Sequence, residues 1–468
     1  MPAFVLAASV LACFVTRAPV APRTPPTVIY DISQLNPITV NEIVAPTTTQ
    51  EIVDAIRQHT GPVSIGGSRH SMGGQTAAPG GVQIDMRRFD RILAFDSVAK
   101  TITVQAGIRW RQILDRIDSA NLSVQIMQSY ANFTVGGSLS VNAHGRYVGF
   151  GPLVSSVRSI TIALANGDVV TASRDVRPDV FFGAIGGYGA LGVIVEATLE
   201  LTDNVRVKRE QMVMPIGAYR DYFFHRVRDS ADVIFHNADI YPDDYETVRA
   251  VSFVRTTDSL TVPDRLIPLG QAYRLNKVAA WVVSEWPFGQ WIRRQVVDPW
   301  RFRGTEVAWR NYEASRDAAE LEPASRASST YVLQEYFVPV ERFDDFIPPM
   351  RTILRRHHVN VINVSIRHAR PDAATLLSWA PREVFAFVVY YKQQTDTTSQ
   401  REVGAWTREL IDAALDLGGA YYLPYQLHAT EAEFLRAYPR APQFFALKTR
   451  LDPTNKFSNM LWAKYYRQ

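Results

Sequence analysis

Cysteine is almost missing. Cys13 is the only one in 468 residues. A single thiol forms no intrachain disulfide and builds no cysteine-based metal site. Carboxylate–histidine groups with ligand spacing are missing too. The one adjacent pair, His357 and His358, sits at the end of a basic helical pattern, so no metal is expected. There is no large charge excess: 50 Lys+Arg against 46 Asp+Glu leave +4, too little on this length to imply nucleic acid. No apolar run reaches the roughly 20 residues that span a bilayer. The nearest is 2–16, followed by a Pro-rich linker over 19–26. That stretch has the apolar core of a secretory signal without its basic n-region, and Val10-Leu11-Ala12-Cys13 has the form of a lipoprotein cleavage box. Export or membrane attachment is the expectation, a cytoplasmic location the alternative. Internal repeats and low-complexity tracts are lacking, and the hydrophobic share of 47% is that of a globular protein.

Two glycine-containing stretches stand out. The first is Gly66-Gly67-Ser68-Arg69-His70-Ser71-Met72-Gly73-Gly74-Gln75, after the strand-like Val63-Ser64-Ile65. The second is Thr134-Val135-Gly136-Gly137-Ser138-Leu139-Ser140-Val141-Asn142-Ala143-His144-Gly145. Glycine lets a ligand approach the main chain, and successive N–H groups in such a turn converge into an anion-binding concavity. A surface hairpin with an incidental histidine is the bland alternative for either stretch alone.

Around them the chain alternates short helices and strands, an α+β pattern. Thr47 to Arg57 reads as a capped helix. Val82–Met86, Thr101–Gly107 and Val193–Leu201 alternate as strands, and Trp110 to Ala120 is helical. Asn166-Gly167 predicts a hairpin between Val157–Leu164 and Val169–Thr171. Gly183 to Gly189 precedes a strand-like run, the wrong context for a nicotinamide-binding βαβ unit. Residues 271–296, with Trp281, Trp286, Trp291, Arg293 and Arg294, read as a core helix pair with snorkelling arginines; a peripheral membrane contact is the alternative. Strands follow at Tyr331–Val338, Asn360–Ile366 and Val384–Tyr391, and helices at Arg342–Leu354 and Arg401–Asp416. Strand alternation puts Asn363, Ser365 and Arg367 on one face.

The two glycine stretches together resemble the FAD-binding domain of the vanillyl-alcohol oxidase / p-cresol methylhydroxylase (PCMH-type) flavoproteins. The likeness runs on through Pro152–Val157, Ala165–Asp168 and Asp179–Ile194, most of residues 36–204. It implies an α+β fold: a two-part FAD-binding PCMH-type domain over 27–204, an α+β substrate (cap) domain over 205–430, and a C-terminal segment over 431–468 returning to the FAD domain, with 1–26 as signal-like segment and linker. FAD is the implied cofactor, held by Gly66, Gly67, Ser68, Arg69, His70, Ser71, Gly136, Gly137, Ser138, Asn142, His144, Gly145, Val193, Ile194 and Asn459. In histidyl-linked members the residue matching His70 is bonded to the flavin; Arg69, where many of those have glycine, leaves open a phosphate clamp and non-covalent FAD.

The resemblance also supplies catalytic candidates. Sugar and alditol oxidases carry Glu-x-Arg where this chain has Ser365-Ile366-Arg367, so Arg367 is kept and the acid is lost. Gly418 to Pro439 resembles decaprenylphosphoryl-ribose oxidase, with Tyr425 where a lysine stands; Tyr425 or His428 is then a candidate partner for a substrate hydroxyl. The implied activity is oxidation of a CH–OH group of a sugar, alditol or sugar lactone by hydride transfer to flavin N5, with O₂, a quinone or a protein as electron acceptor. The rivals are oxidation of a lipid-linked sugar, amine oxidation as in cytokinin dehydrogenases, and a flavin-holding component that needs a partner.

Overall fold

The computed structural model describes residues 27–467, so the expectations for Cys13 and the apolar run 2–16 lie outside the described residues. The mixed α+β reading holds. A small parallel sheet has the order Glu42–Val44, Val82–Asp85, Val63–Gly66. Its helix, Thr49–Gln58, starts where Thr48 accepts a hydrogen bond from the Glu51 N–H. The helix buries Ile52, Val53, Ala55 and Ile56; full burial of Ile52 and of Ile56 contributes roughly 1.5–3 kcal/mol each.

The next sheet is antiparallel, in the order Val169–Ser173, Val157–Leu164, Gly192–Asp203, Thr101–Gln105, Ile92–Asp96. Asn166-Gly167 turns the expected hairpin, with Val169 opposite Ala163 and Gly167 at φ 83°. Gly186 to Gly189 follow the helix Pro178–Ala184 and precede the strand Gly192–Asp203, the reverse of a dinucleotide-binding unit. The second glycine stretch differs from its reading as a loop: Val135–Ser140 is a short helix capped by the Thr134 hydroxyl. Burial of Val135 and Leu139 outweighs the poor helix propensity of its glycines.

Residues beyond 205 build an eight-stranded antiparallel sheet. Its order is Val307–Trp309, Arg206–Pro215, Thr247–Arg255, Val233–Ile240, Asn360–Ala369, Val384–Gln394, Ser329–Pro339, Ala420–Tyr421. Register fixes its two faces. Ile366, Phe387 and Tyr336 fall in one row, and that face is covered by the helices Phe343–Arg356 and Thr397–Asp416, through Phe346 on Phe387 and Trp406 on Tyr391. Ser365, Val388 and Glu335 fall in a row on the opposite face. The long helix starts four residues before its expected Arg401 because the Asp396 carboxylate caps the Thr398 and Ser399 N–H groups.

The Trp-rich segment departs from expectation. Arg274–Glu285 is a helix, but Ser284 is its only buried residue, and Trp281, Trp286 and Trp291 are exposed. Only the side of Ala280 and Val283 packs, against Tyr331, Ile362 and Tyr390. Apolar residues occur all round this helix, and one side of a single helix is all that the sheet covers.

The C-terminal segment returns to the N-terminal sheets. Val63 N–H donates to Lys456 O (2.7 Å), and Ser458 N–H donates to Val63 O (3.0 Å). Fully buried Lys448 anchors it, donating to Ala190 O (3.1 Å), Phe457 O (2.9 Å) and Asp452 Oδ2 (3.0 Å). The ammonium spends its three protons on three acceptors, although burial pushes its pKa below the usual lysine value. Asp452→Ala leaves that cation unpaired, and the expected loss of unfolding free energy is about 3–5 kcal/mol. Denaturant titration of the flavin-loaded protein measures it; a change within 0.5 kcal/mol, roughly that of a neutral surface substitution, refutes the anchoring role.

Candidate active site

A single cleft runs between the glycine stretches and the polar face of the eight-stranded sheet. It encloses about 1870 Å³ of space, open mouth included. One end is walled by Gly67 to Met72, the first turn of the helix Val135–Ser140 at Gly136-Gly137, and Tyr188 to Ile194. Gly67 is required there, because a Cβ would collide with the Thr134 hydroxyl. Ser68 Oγ donates to Asn132 O (2.9 Å). Arg69 takes a left-handed φ of 60°; its Nη2 donates to Gln83 Oε1 (2.7 Å) and Asp85 Oδ2 (3.1 Å). One nitrogen of its guanidinium is thus engaged by an acid, while Arg69 Nε is buried without a partner.

His70 stacks on Phe133, centroids 4.0 Å apart. Its Nε2 lies 3.3 Å from Asn132 Nδ2, and its Nδ1 is buried with no hydrogen-bond partner. Burial, with help from the Arg109 charge, lowers its pKa to about 4, so the ring is uncharged at neutral pH.

At the other end Arg367, Glu335, His144 and Tyr425 meet. His144 follows the capped helix; Glu335 and Arg367 come from the sheet. His144 Nε2 lies 2.7 Å from Glu335 Oε1, with both side chains almost wholly buried. The distance is that of a hydrogen bond, but the alignment falls short of one. Tyr425 Oη donates to Glu335 Oε2 (3.2 Å). Burial drives the Glu335 pKa upward, but His144, Arg367 and the Tyr425 hydrogen bond outweigh it and hold the carboxyl below its usual range. Burial and the same carboxylate push the Tyr425 hydroxyl well above its usual value, so it keeps its proton. His144 Nδ1 and Arg367 Nε are buried without partners, and no acid pairs with Arg367 among the described residues.

Of the residues named from sequence, Gly67, Ser68, Arg69, His70, Ser71, Gly136, Gly137, Ser138, His144, Ile194, Arg367 and Tyr425 line the cleft. Gly66, Asn142, Gly145, Val193, Asn459 and His428 do not. Asn142 is a strut, donating to Asp372 (3.0 Å) and accepting from Val154 N–H (3.0 Å). Asn459 caps the last helix and donates to Tyr188 O (2.9 Å). His428 packs near Gly404 of the long helix instead of facing the cleft; burial first, then Lys464 and Arg408, lower its pKa to about 4. Glu335 is the site residue that sequence reasoning missed. Its signal was a lone acid among the apolar residues of the Tyr331–Val338 strand.

Residues 40–173 match the family model described as FAD binding domain, and residues 301–466 match that of D-arabinono-1,4-lactone oxidase. The two matches fall on the two halves of the chain and are those of FAD-binding, PCMH-type oxidases. Alditol oxidase of Streptomyces sp. is 26% identical over 90% of this chain and 94% of its own length. L-gulonolactone oxidase of Bos taurus is 20% identical over 90% and 94%. Two stronger but shorter matches are an uncharacterized oxidoreductase of Rhodococcoides fascians (34% identity over 34% of this chain) and cytokinin dehydrogenase 2 of Arabidopsis thaliana (30% over 37%). The chain spans only 37% and 35% of the length of those two relatives. With an FAD-binding domain over 40–173, the protein binds FAD. The residues present fit it: Gly67 leaves the wall bare of side chain, and His70 offers a buried nitrogen that no protein group uses.

Proposed function

We propose that this flavoprotein oxidises a CH–OH group of a sugar, alditol or sugar lactone and passes the electrons to O₂, a quinone or a protein acceptor. The observation that carries the reading is the buried Glu335–His144 contact beside an arginine with no acidic partner. It is supported by the lactone-oxidase model over 301–466, which includes Glu335, Arg367 and Tyr425, and by relatives named alditol and gulonolactone oxidase along nearly the whole chain. The cytokinin dehydrogenase matches cover little more than a third of it.

Bound FAD supplies the hydride acceptor. The chain's own groups handle the proton and the charge. His144 takes the substrate hydroxyl proton, and Glu335 stabilises the imidazolium that results. Arg367, held in place by the sheet, stabilises negative charge developing on oxygen. Tyr425 donates to Glu335 and fixes its orientation. Glu335 occupies the same row of the sheet as Ser365, one strand beyond Val388, so this chain keeps an acid over the cleft although Ser365 has replaced the acid of the Glu-x-Arg pair. We further propose that domain boundaries follow the sheets, with the FAD domain ending near 204, and that His70 carries the flavin covalently.

Two outcomes check this. Anaerobic mixing with alditols or sugar lactones should bleach the flavin, and Arg367→Ala should slow that step roughly 10²–10³-fold with FAD content near wild type; bleaching by amines alone refutes the reading. Acid-precipitated protein should stay yellow, with the mass of FAD on the His70 peptide, and His70→Ala should release the flavin into the acid supernatant. Complete release from wild type makes the bond absent.

A further inference from the structure

The protein exposes four of its nine tryptophans, Trp281, Trp286, Trp291 and Trp300, and all of them lie within twenty residues of one another. Phe288, 73% exposed, lies in the same segment and is the only phenylalanine among the large exposed side chains of the described residues. Single surface hydrophobics need no explanation, but a clustered set marks an interaction face. The inner side of the segment is fixed to the sheet edge: Gln290 Nε2 donates to Val361 O (2.7 Å), Arg293 Nη1 to Ile362 O (2.9 Å), and Asn360 Nδ2 to Ser284 O (2.8 Å). On the helix Arg274–Glu285, Leu275 falls opposite the packed side of Ala280 and Ser284, with Arg274 and Trp281 on the flank between.

Charge singles out the occupant. Residues 271–304 hold six basic side chains (Arg274, Lys277, Arg293, Arg294, Arg301, Arg303) and two acids (Glu285, Asp298). Both acids are engaged within the fold, Glu285 by Lys392 and Asp298 by Arg293 and Tyr241. Arg274, Lys277, Arg301 and Arg303 have no acidic partner among the described residues. Tryptophans flanked by unpaired cations match the chemistry of a headgroup layer, with aromatic rings at the lipid–water boundary and cations against anionic headgroups.

We propose that this segment docks the protein on the surface of an anionic phospholipid bilayer. It lies on the membrane and does not cross it, since no helix among the described residues is long and apolar enough to span. Tyr331 and Tyr390, on which its inner side packs, also line the cleft. Docking therefore holds the wall of the cleft formed by Tyr331 and Tyr390 about one helix diameter, ~10 Å, from the lipid surface.

The test is flotation of the full-length, flavin-loaded protein with phosphatidylcholine vesicles, with and without phosphatidylglycerol. Wild type should float with the anionic vesicles and be released by high salt. The triple variant Trp286→Ser, Phe288→Ser, Trp291→Ser should bind at least about tenfold more weakly, with unchanged flavin spectrum and thermal midpoint. Arg301→Glu with Arg303→Glu should remove the preference for anionic over neutral vesicles. Wild type that ignores anionic vesicles, a triple variant that floats equally well, or a lipid-free dimer abolished by the triple variant each overturns the proposal, the last by making the face a contact between copies of this chain.

Discussion

Glu335 is a carboxylate buried to 2% exposure, and the rest of the site is arranged around it. A charge taken out of water costs several kcal/mol unless it is paired and hydrogen-bonded. His144, Tyr425 and the field of Arg367 provide that compensation from three separate parts of the chain. The contact with His144 joins the half of the molecule that binds FAD to the sheet that roofs the cleft, so the carboxylate also fixes how the two walls face each other.

Sheet register determines what reaches the cleft. A strand shifted by one residue would turn Glu335 to the helix-covered face and put Gln334 in its place. Eleven register pairs tie Ser329–Pro339 to Val384–Gln394, which makes that shift expensive. Phe346 and Trp406 fill the back of the sheet through Phe387 and Tyr391, so apolar packing on one face holds the polar constellation on the other. At the far end Gly67 and the Thr134 cap sit in contact, and the Lys448 anchor returns the C-terminal segment beside them through Val63 and Ala190.

Much of this could be read from the sequence, where local chemistry decides the outcome. The Asn166-Gly167 hairpin, the capped helix after Thr48 and the alternation that points Ser365 and Arg367 to one face all depend on neighbours within a few residues. The two glycine stretches marked the cofactor wall for the same reason. What escaped depends on long-range pairing. Glu335 acquires its meaning only from His144 and from a strand two places away in the sheet. His428 sits in a segment that does reach the cleft, through Tyr425, but packing near Gly404 turns it away. The tryptophans of 281–300 carry a pattern that a buried helix pair would share; only the tertiary arrangement shows that one side has no cover.

The central claim is that the buried Glu335 carboxylate supports proton removal by His144. Glu335→Gln keeps the shape and removes the charge, so anaerobic stopped-flow reduction of the flavin by an alditol or lactone substrate, read across pH, tests it most directly. The account predicts FAD content and thermal midpoint near wild type with reduction slowed roughly 10²–10⁴-fold. Reduction at the wild-type rate and with the wild-type pH profile would contradict it.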